Sequence, residues 1–281
     1  MTLIDALRTH PGLLIFTCVL LGLIVGSFLN VVILRLPRMM EMAWRREARE
    51  LLALPAADEP PLSLLKPAST CPQCGVAIKP WHNVPILGWL WLRGRCANCR
   101  AQISVQYPLV ELASGVLAGL CALEFGWSVQ LAAALVFSWV LLALAVIDLR
   151  TSLLPDDLTL PLLWLGLLLS LLPVFATPEA AIIGAAAGYL SLWSVFQLFK
   201  LVTGKEGMGY GDFKLLAAIG AWLGASALPM VILLSSLVGA VIGIGMIAFM
   251  RHDRRVPIPF GPYLAAAGWL GMMYADALEG M

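Results

Sequence analysis

The chain has 281 residues, of which 60% are hydrophobic and 12% are charged, and its mean hydropathy is +0.89. A soluble domain carries about 25% charged residues and about 45–50% apolar ones. This composition excludes a disordered chain, a collagen-like fibre and an ordinary soluble enzyme, and it predicts a protein that crosses the bilayer several times. The formal net charge of +1 gives no bulk electrostatic basis for binding nucleic acid.

Apolar segments of the roughly 20 residues that a bilayer core requires recur along most of the chain. They predict an all-α polytopic fold with eight transmembrane helices, near 12–34, 108–125, 127–148, 155–175, 179–200, 212–227, 229–250 and 258–277. The only long interruption is polar. The predicted domains are therefore a first transmembrane helix (1–34), a small cytoplasmic domain (35–107) and a membrane domain of about seven helices (108–281).

The positive charges predict the orientation, because Lys and Arg accumulate in cytoplasmic loops. Of the 18 Lys and Arg residues, only Arg8 falls outside the alternate loops that this rule assigns to the cytoplasm. Both termini are then expected on the outer side of the membrane, with the polar domain in the cytoplasm. A cleaved signal peptide is a poorer interpretation of the N-terminus, since the apolar stretch is too long and no small-residue cleavage pattern precedes Arg35.

The polar segment begins with an expected amphipathic helix at 41–54 and a Pro- and Ala-rich linker at 55–70. Two C-x-x-C motifs follow, and 21 residues separate the Cys71/Cys74 pair from the Cys96/Cys99 pair. Each tight turn directs two thiolates at one tetrahedral ion, so the four cysteines predict a structural zinc site with a closed coordination shell. Two disulfides would not suit the reducing cytoplasm, and no βαβ pattern supports a thioredoxin-like pair.

We expect no metal ligand among the other two cysteines, the tryptophans between the cysteine motifs and His82. Cys18 and Cys121 lie within predicted spans and are expected to pack there. The tryptophans between the two cysteine motifs either pack around the zinc fold or lie at the level of the lipid headgroups. His82 is expected to be a surface or hydrogen-bonding residue, because four thiolates already complete the metal site.

Carboxylates within membrane spans are costly and are therefore functional candidates. Asp148 ends the third predicted span and Asp212 begins the sixth, so both are expected at the cytoplasmic edge of the bilayer. Glu111 lies at a similar depth in the second span, where it could instead pair with a nearby Arg. Two carboxylates that share a proton and a water can act as an aspartic protease, one activating the water and the other polarising the scissile carbonyl.

Structural roles remain open for each of these carboxylates at this point. Asp212 could cap the N-terminus of its helix, and Asp148 could pair with Arg150. Asp156, which follows Pro155, has the sequence context of a helix N-cap, and Asp157 is expected in the first helical turn. Residue spacing alone makes the protease interpretation no better than these alternatives.

Longer motifs resemble those of the type IV prepilin peptidase family, in the same order and over almost the whole chain. They are GSFLNVVILRLP (26–37), CPQC and CANC, NVPILGWLWLRGRC (83–96), ISVQYPLVE (103–111), DLRTSLLPDDLTLPLLWLGLL (148–168), GYGDFKLLAAIGAWLG (209–224) and PFGPYLAAAGW (259–269). The family belongs to the GxGD class of intramembrane aspartic proteases, and GxGD here ends in Asp212. The position that matches the family's first catalytic aspartate is Asp148.

The resemblance implies a bifunctional enzyme of the bacterial inner membrane. Its substrates would be prepilins or pseudopilins of type IV pili or type II secretion, which carry a short basic leader ending in Gly before an apolar helix. Cleavage would follow that Gly at the cytoplasmic face. The new N-terminal residue, usually Phe, would then be methylated from S-adenosylmethionine.

The methyl-donor site is not defined by a recognisable fingerprint, since no Rossmann-type motif is present. The family associates this activity with the cytoplasmic region that follows the first span. Asn30 and Arg35 are polar positions that packing does not require, and they are candidates for contact with substrate or S-adenosylmethionine. Alternatively, Asn30 bonds a neighbouring helix and Arg35 marks the cytoplasmic boundary.

Two other functions are possible from the residues alone. The membrane aspartates could carry protons or bind a cation in a polytopic transporter, which would predict ion-coupled flux and no peptide cleavage. The chain could also be a zinc-stabilised assembly platform of a pilus or secretion apparatus, with no chemistry of its own. For the prepilin peptidase interpretation, the expected partners besides the prepilin substrates are membrane lipids and, indirectly, the pilus or type II secretion apparatus.

Overall fold

The computed structural model describes residues 2–55, 62–250 and 259–274, and regular structure in this part of the chain is helical. These ranges contain ten α-helices in chain order: α1 (Leu3–Thr9), α2 (Pro11–Leu51), α3 (Leu87–Trp91), α4 (Gln106–Phe125), α5 (Val129–Thr151), α6 (Asp156–Ser170), α7 (Pro178–Thr203), α8 (Tyr210–Leu223), α9 (Leu228–Met250) and α10 (Gly261–Met273). The described ranges contain no β-strand, only two single antiparallel bridges. The all-α prediction is confirmed.

Within the described residues, five segments are long and apolar enough to cross a membrane: Pro11–Leu51, Gln106–Phe125, Val129–Thr151, Pro178–Thr203 and Ala225–Met246. The sequence predicts eight. The other three predicted spans correspond to α6, α8 and α10, which have 15, 14 and 13 residues. These helices are shorter than the roughly 20 residues of a straight crossing. The two ends of the predicted span 258–277 lie outside the described residues.

The first membrane helix is longer than its sequence suggests. The span expected to end near residue 34 and the amphipathic helix expected at 41–54 belong to one helix, because α2 continues without a break from Pro11 to Leu51. Pro37 removes one N–H donor but is buried within the helix. The residues beyond it are mostly strong helix formers, and Glu41 pairs with Arg45 one turn later. A 41-residue helix is about 60 Å long and extends well past a bilayer core.

The chain divides into two compact units, Met1–Trp127 (unit 1) and Ser128–Met281 (unit 2). In unit 1, α2 packs along α4, and glycines allow the two backbones to approach closely. A Cβ atom at Gly22 would lie 2.6 Å from the carbonyl oxygen of Ser114, and one at Gly26 would lie 2.7 Å from the Cα of Glu111. Small residues of this kind are typical of helix contacts in membranes.

Helix α8 is the central element of unit 2. Every residue from Leu215 to Leu223 is buried, as expected for a helix that is apolar on all sides. Against α7, a Cβ at Gly184 would overlap the carbonyl oxygen of Gly220. Against α6, the indole N–H of Trp222 donates to the carbonyl oxygen of Leu162 at 2.8 Å. These contacts fix the helix that carries Asp212.

Candidate active site and metal centre

Asp148 lies near the C-terminal end of α5, and only 5% of its surface is exposed. Its Oδ2 accepts a hydrogen bond of 2.9 Å from the backbone N–H of Gly261, the first residue of α10. A Cβ at Gly261 would lie 2.7 Å from that same oxygen, so the contact requires glycine. The carboxylate is therefore fixed by a backbone donor 113 residues away.

Asp212 is the third residue of α8, and 8% of its surface is exposed. The helix begins after Gly209, and no side chain caps it, so the alternative that Asp212 is an N-cap is wrong. Its Oδ1 is buried and has no hydrogen-bond partner among the described residues. A carboxyl oxygen in this situation can take part in chemistry, because no structural contact already occupies it.

Leu154, in the α5–α6 loop, lies between the two aspartate-bearing segments. A Cβ at Gly211 would be 2.7 Å from the Cβ of Leu154, and a Cβ at Gly261 would be 3.1 Å from its Cδ2. Asp148 and Asp212 are close enough for their carboxylates to interact electrostatically. The two residues predicted as a pair are thus brought together, and two buried neighbouring carboxyls can divide the roles of general acid and general base.

Asp156 does not cap α6 as predicted. The N-cap position belongs to Pro155, and the Asp156 carboxylate instead pairs with Lys214 of α8, whose Nζ lies 2.7 Å from both oxygens. Asp157 occupies the first turn of α6, as predicted. The ion pair links the start of α6 to the first turns of α8, two residues beyond Asp212.

The four predicted metal ligands come together in unit 1. The sulfur atoms of Cys71, Cys74, Cys96 and Cys99 all lie within 4.8 Å of one another, and His82 is not part of this group. Each pair lies on a similar tight turn. The N–H of Gly75 donates to the carbonyl oxygen of Cys71 at 2.9 Å, and that of Arg100 donates to Cys96 at 3.1 Å. The quartet has the donor set of a metal site.

The electrostatics of the quartet favour the thiolate at two of the four cysteines, whereas burial and hydrogen bonds with the other three thiols raise the pKa of Cys99 to about 11. Hydrogen bonds from the backbone of Val76 and from the side chain of Asn98 lower the pKa of the Cys74 thiol to about 6. Hydrogen bonds from the backbone of Cys99 and Asn98 lower the pKa of Cys96. Thiolates are the species that ligate metals, so two of the four ligands are prepared by their own turns.

Asn30 and Arg35, the candidates for contact with substrate or S-adenosylmethionine, differ in how many of their polar atoms already have hydrogen-bond partners. The Arg35 guanidinium donates to the carbonyl oxygens of Ser63 and Leu64, at 2.9 and 3.3 Å. The Asn30 side chain donates through Nδ2 to the carbonyl oxygens of Gly26 and Tyr107. Its Oδ1 is buried without a partner in the described part of the chain. Asn30 therefore keeps one acceptor oxygen without a partner among the described residues, whereas the Arg35 guanidinium holds a loop.

Glu111 has a role that sequence analysis missed. The sequence left pairing with an Arg open, but in the structure Glu111 Oε2 accepts a hydrogen bond of 2.7 Å from the backbone N–H of Ile86. Ile86 has φ 60° and ψ −51°, and the N–H of Leu87 donates to the carbonyl oxygen of Pro85 at 2.6 Å. This is a γ-turn with positive φ, a rare and strained conformation for a β-branched residue. The only sequence signal for it was a carboxylate at membrane depth.

Comparisons with known proteins agree with these observations. The model of the bacterial peptidase A24 N-terminal domain matches residues 20–125, and that of the type IV leader peptidase family matches residues 135–244. No solved structure matches.

Relatives named prepilin leader peptidase/N-methyltransferase align over nearly the full chain. The protein from Pseudomonas aeruginosa is 53% identical over 279 residues, which cover 99% of this chain and 96% of the relative. The protein from Aeromonas hydrophila is 54% identical over 280 residues, which cover 98% and 96%. The protein from Neisseria gonorrhoeae is 51% identical over 253 residues, which cover 89% and 87%.

Proposed function

The chain belongs to the type IV leader peptidase family, and we propose that it removes the leader of prepilins or pseudopilins with Asp148 and Asp212 and then methylates the new N-terminus. Both activities are in the names of its relatives, and nothing in the comparisons supports the transporter alternative. The observation that carries the proposal is the pair of buried, interacting carboxylates on either side of Leu154.

In the cleavage step, one carboxylate removes a proton from a water as the water attacks the carbonyl carbon of the leader's final Gly. The other carboxyl donates a hydrogen bond to the carbonyl oxygen, and its proton is passed on as the new N-terminal amine departs. We assign the base role to Asp148, because the N–H of Gly261 stabilises an ionised carboxylate. Asp212, with Oδ1 unpartnered in the described residues, suits the acid role.

For the second activity, S-adenosylmethionine would supply the methyl group to the new N-terminal amine. The family places this activity in the region after the first span, which corresponds to the predicted domain 35–107 of unit 1. The unpartnered Oδ1 of Asn30 fits an amino-group donor on the substrate or on S-adenosylmethionine. Arg35 fits less well, because its guanidinium already binds two carbonyl oxygens.

We propose that the cysteine quartet binds a structural Zn²⁺. Tetrahedral zinc with bonds of about 2.3 Å places its sulfur ligands about 3.8 Å apart. The Cys71–Cys99 and Cys74–Cys96 sulfur distances are 3.7 and 4.0 Å. Four thiolates would fill the coordination shell, so this zinc would stabilise unit 1 without activating a water.

For the topology, we propose eight membrane segments in the bacterial inner membrane, with both termini periplasmic. This topology requires that the short helices α6, α8 and α10 also cross the membrane. Basic residues support it: Arg150 lies in the last turn of α5, Lys200 lies in the last turn of α7, and Arg251 follows α9 in sequence, whereas the intervening loops carry no Lys or Arg. A reporter enzyme active only in the periplasm, fused after Leu171, should be active; an inactive fusion would remove α6 as a crossing.

A cleavage assay tests the proposal. Purified full-length protein and the Asp148→Asn, Asp212→Asn and Asp157→Asn variants are incubated with a prepilin-like substrate, with and without S-adenosylmethionine, and product masses are read. We expect cleavage after Gly by the wild type and Asp157→Asn, and a loss of at least about 100-fold in the other two. A methyl mass should appear only with the donor. Normal cleavage by either dyad variant would refute the assignment.

A further inference from the structure

Two features of unit 1 meet at one hydrogen bond and have no part in the proposed chemistry. One is the buried carboxylate of Glu111, of which 7% is exposed, and the other is the strained turn at Ile86. The Ile86 N–H donates to Glu111 Oε2 at 2.7 Å. Strained backbone persists where surrounding contacts over-determine it, and such contacts often serve a function. The turn leads directly into helix α3, so the role of the turn depends on what α3 contacts.

Helix α3 presents its apolar side chains outward. Leu87, Leu90 and Trp91 lie at positions i, i+3 and i+4, which share one helix face, and they are 63%, 55% and 78% exposed. The inward contacts are made by Gly88, which is buried, and by Trp89, whose indole N–H donates to the carbonyl oxygen of Ile103. A water-facing helix would have the opposite pattern, so this apolar face requires a partner.

The contact with Glu111 places the start of α3 at a definite depth. Glu111 is the sixth residue of α4, about 8 Å from the start of a helix long and apolar enough to span a membrane. The headgroup layer on each side of a bilayer is about 5–8 Å thick. The Ile86 turn is therefore held within two turns of the N-terminal end of α4, near the boundary between the hydrocarbon core and the headgroup layer, and the apolar face of α3 begins one residue later.

The charge of this region complements an anionic membrane surface. Residues 62–110 contain five Lys and Arg residues and no Asp or Glu: Lys66, Lys79, Arg93, Arg95 and Arg100. Arg93 follows α3 closely and is exposed. The ammonium of Lys79 lies 5.4 Å from the ring centre of Trp81, which is 55% exposed. Tryptophans beside basic residues are typical of membrane interfaces, and such residues attract anionic lipids.

We propose that α3 docks into the anionic headgroup layer of the membrane, with Leu87, Leu90 and Trp91 facing lipid, and that Glu111 is the positioning residue that holds it there. A substrate helix is a poorer occupant, because it would leave this apolar face in water between turnovers. The docking would fix the cysteine quartet at the membrane surface. Cleavage by unit 2 does not depend on it.

Photo-crosslinking identifies the occupant directly. A benzophenone-bearing amino acid replaces Trp91 in the full-length protein, which is reconstituted in phosphatidylcholine vesicles with or without phosphatidylglycerol. Irradiation should give lipid adducts, with a larger yield when the anionic lipid is present. Adducts that form instead with an added prepilin substrate, or with another part of the chain, would overturn the proposal.

Hydrogen exchange tests the role of Glu111. In the same vesicles, the amides of Ile86 and Leu87 should exchange slowly in the wild type and in Glu111→Gln, which keeps an acceptor oxygen. In Glu111→Leu they should exchange about tenfold faster or more, and the lipid adducts at position 91 should decrease. Prepilin cleavage by each preparation verifies that the protein is folded. Equal exchange in the Gln and Leu variants would show that the hydrogen bond does not position α3.

Discussion

Unit 1 and unit 2 each bury carboxylates in apolar helices, but the hydrogen bonds of these carboxylates differ. In unit 1, Glu111 accepts a hydrogen bond from Ile86 and thereby fixes a turn. In unit 2, Asp148 is fixed by Gly261 while Asp212 keeps one buried oxygen unpartnered among the described residues. A buried polar group that lacks a partner destabilises the fold, so it is retained where chemistry needs it. The comparison separates Glu111, whose hydrogen bond holds a turn, from Asp212, whose unpartnered oxygen is available to a substrate.

The largest effect is expected from removing two of the four cysteine ligands, because this should change unit 1 and leave unit 2 unaffected. The double variant Cys71→Ser, Cys74→Ser should reduce zinc from about one per chain to none, because two thiolates cannot close a tetrahedral shell. Metal analysis of the purified protein measures this, with Cys18→Ala as the matched control. Hydrogen exchange should rise across 62–105 and stay unchanged in α8. Zinc retained at the wild-type level would disprove the quartet as the site.

A smaller effect is expected from crowding the helix that carries Asp212. Gly184→Ala should lower the free energy of unfolding by about 1–3 kcal/mol, because its Cβ would overlap the backbone of Gly220, which cannot rotate away. Thermal unfolding in detergent measures the change, together with cleavage. Gly245→Ala is the control, since no atom of the described residues lies within 4 Å of a Cβ there. Equal melting temperatures for the two variants would mean that α7 and α8 do not pack this closely.

The smallest effect is expected from the ion pair between α6 and α8. The Lys214 and Asp156 side chains are 29% and 52% exposed, and pairs of this kind contribute about 0.2–1 kcal/mol. Lys214→Met should therefore lower kcat/KM for cleavage by about fivefold at most. The charge-exchanged variant Asp156→Lys, Lys214→Asp should recover part of that loss. A hundredfold loss in Lys214→Met would instead place Lys214 in the chemistry.

Local sequence patterns predicted the residues of both sites. The four cysteines could be assigned because each pair lies within one tight turn, so its geometry depends on neighbouring residues alone. Asp148 and Asp212 were identifiable as costly charges at the ends of apolar segments, and the family resemblance paired them. The comparisons show the family that this resemblance predicted.

Contacts between distant segments were not predictable. The partner of Asp156 is Lys214, 58 residues away, and the partner of Glu111 is a backbone N–H 25 residues away. A backbone donor leaves no mark in a sequence, so an Arg or a helix cap was the simpler expectation. The length of α2 was missed for another reason: Pro37 and the change to polar residues suggest a break, but neither forces one when helix formers follow.

The division of labour between the units can be tested with one variant and two substrates. Asp212→Asn is given an intact prepilin and, separately, a substrate that already begins at the mature N-terminus, each with S-adenosylmethionine, and product masses are measured. We predict that the intact prepilin stays uncleaved while the mature N-terminus gains a methyl group at the wild-type rate. Cleavage of the intact prepilin, or loss of methylation of the mature substrate, would contradict the assignment of the two activities to separate units.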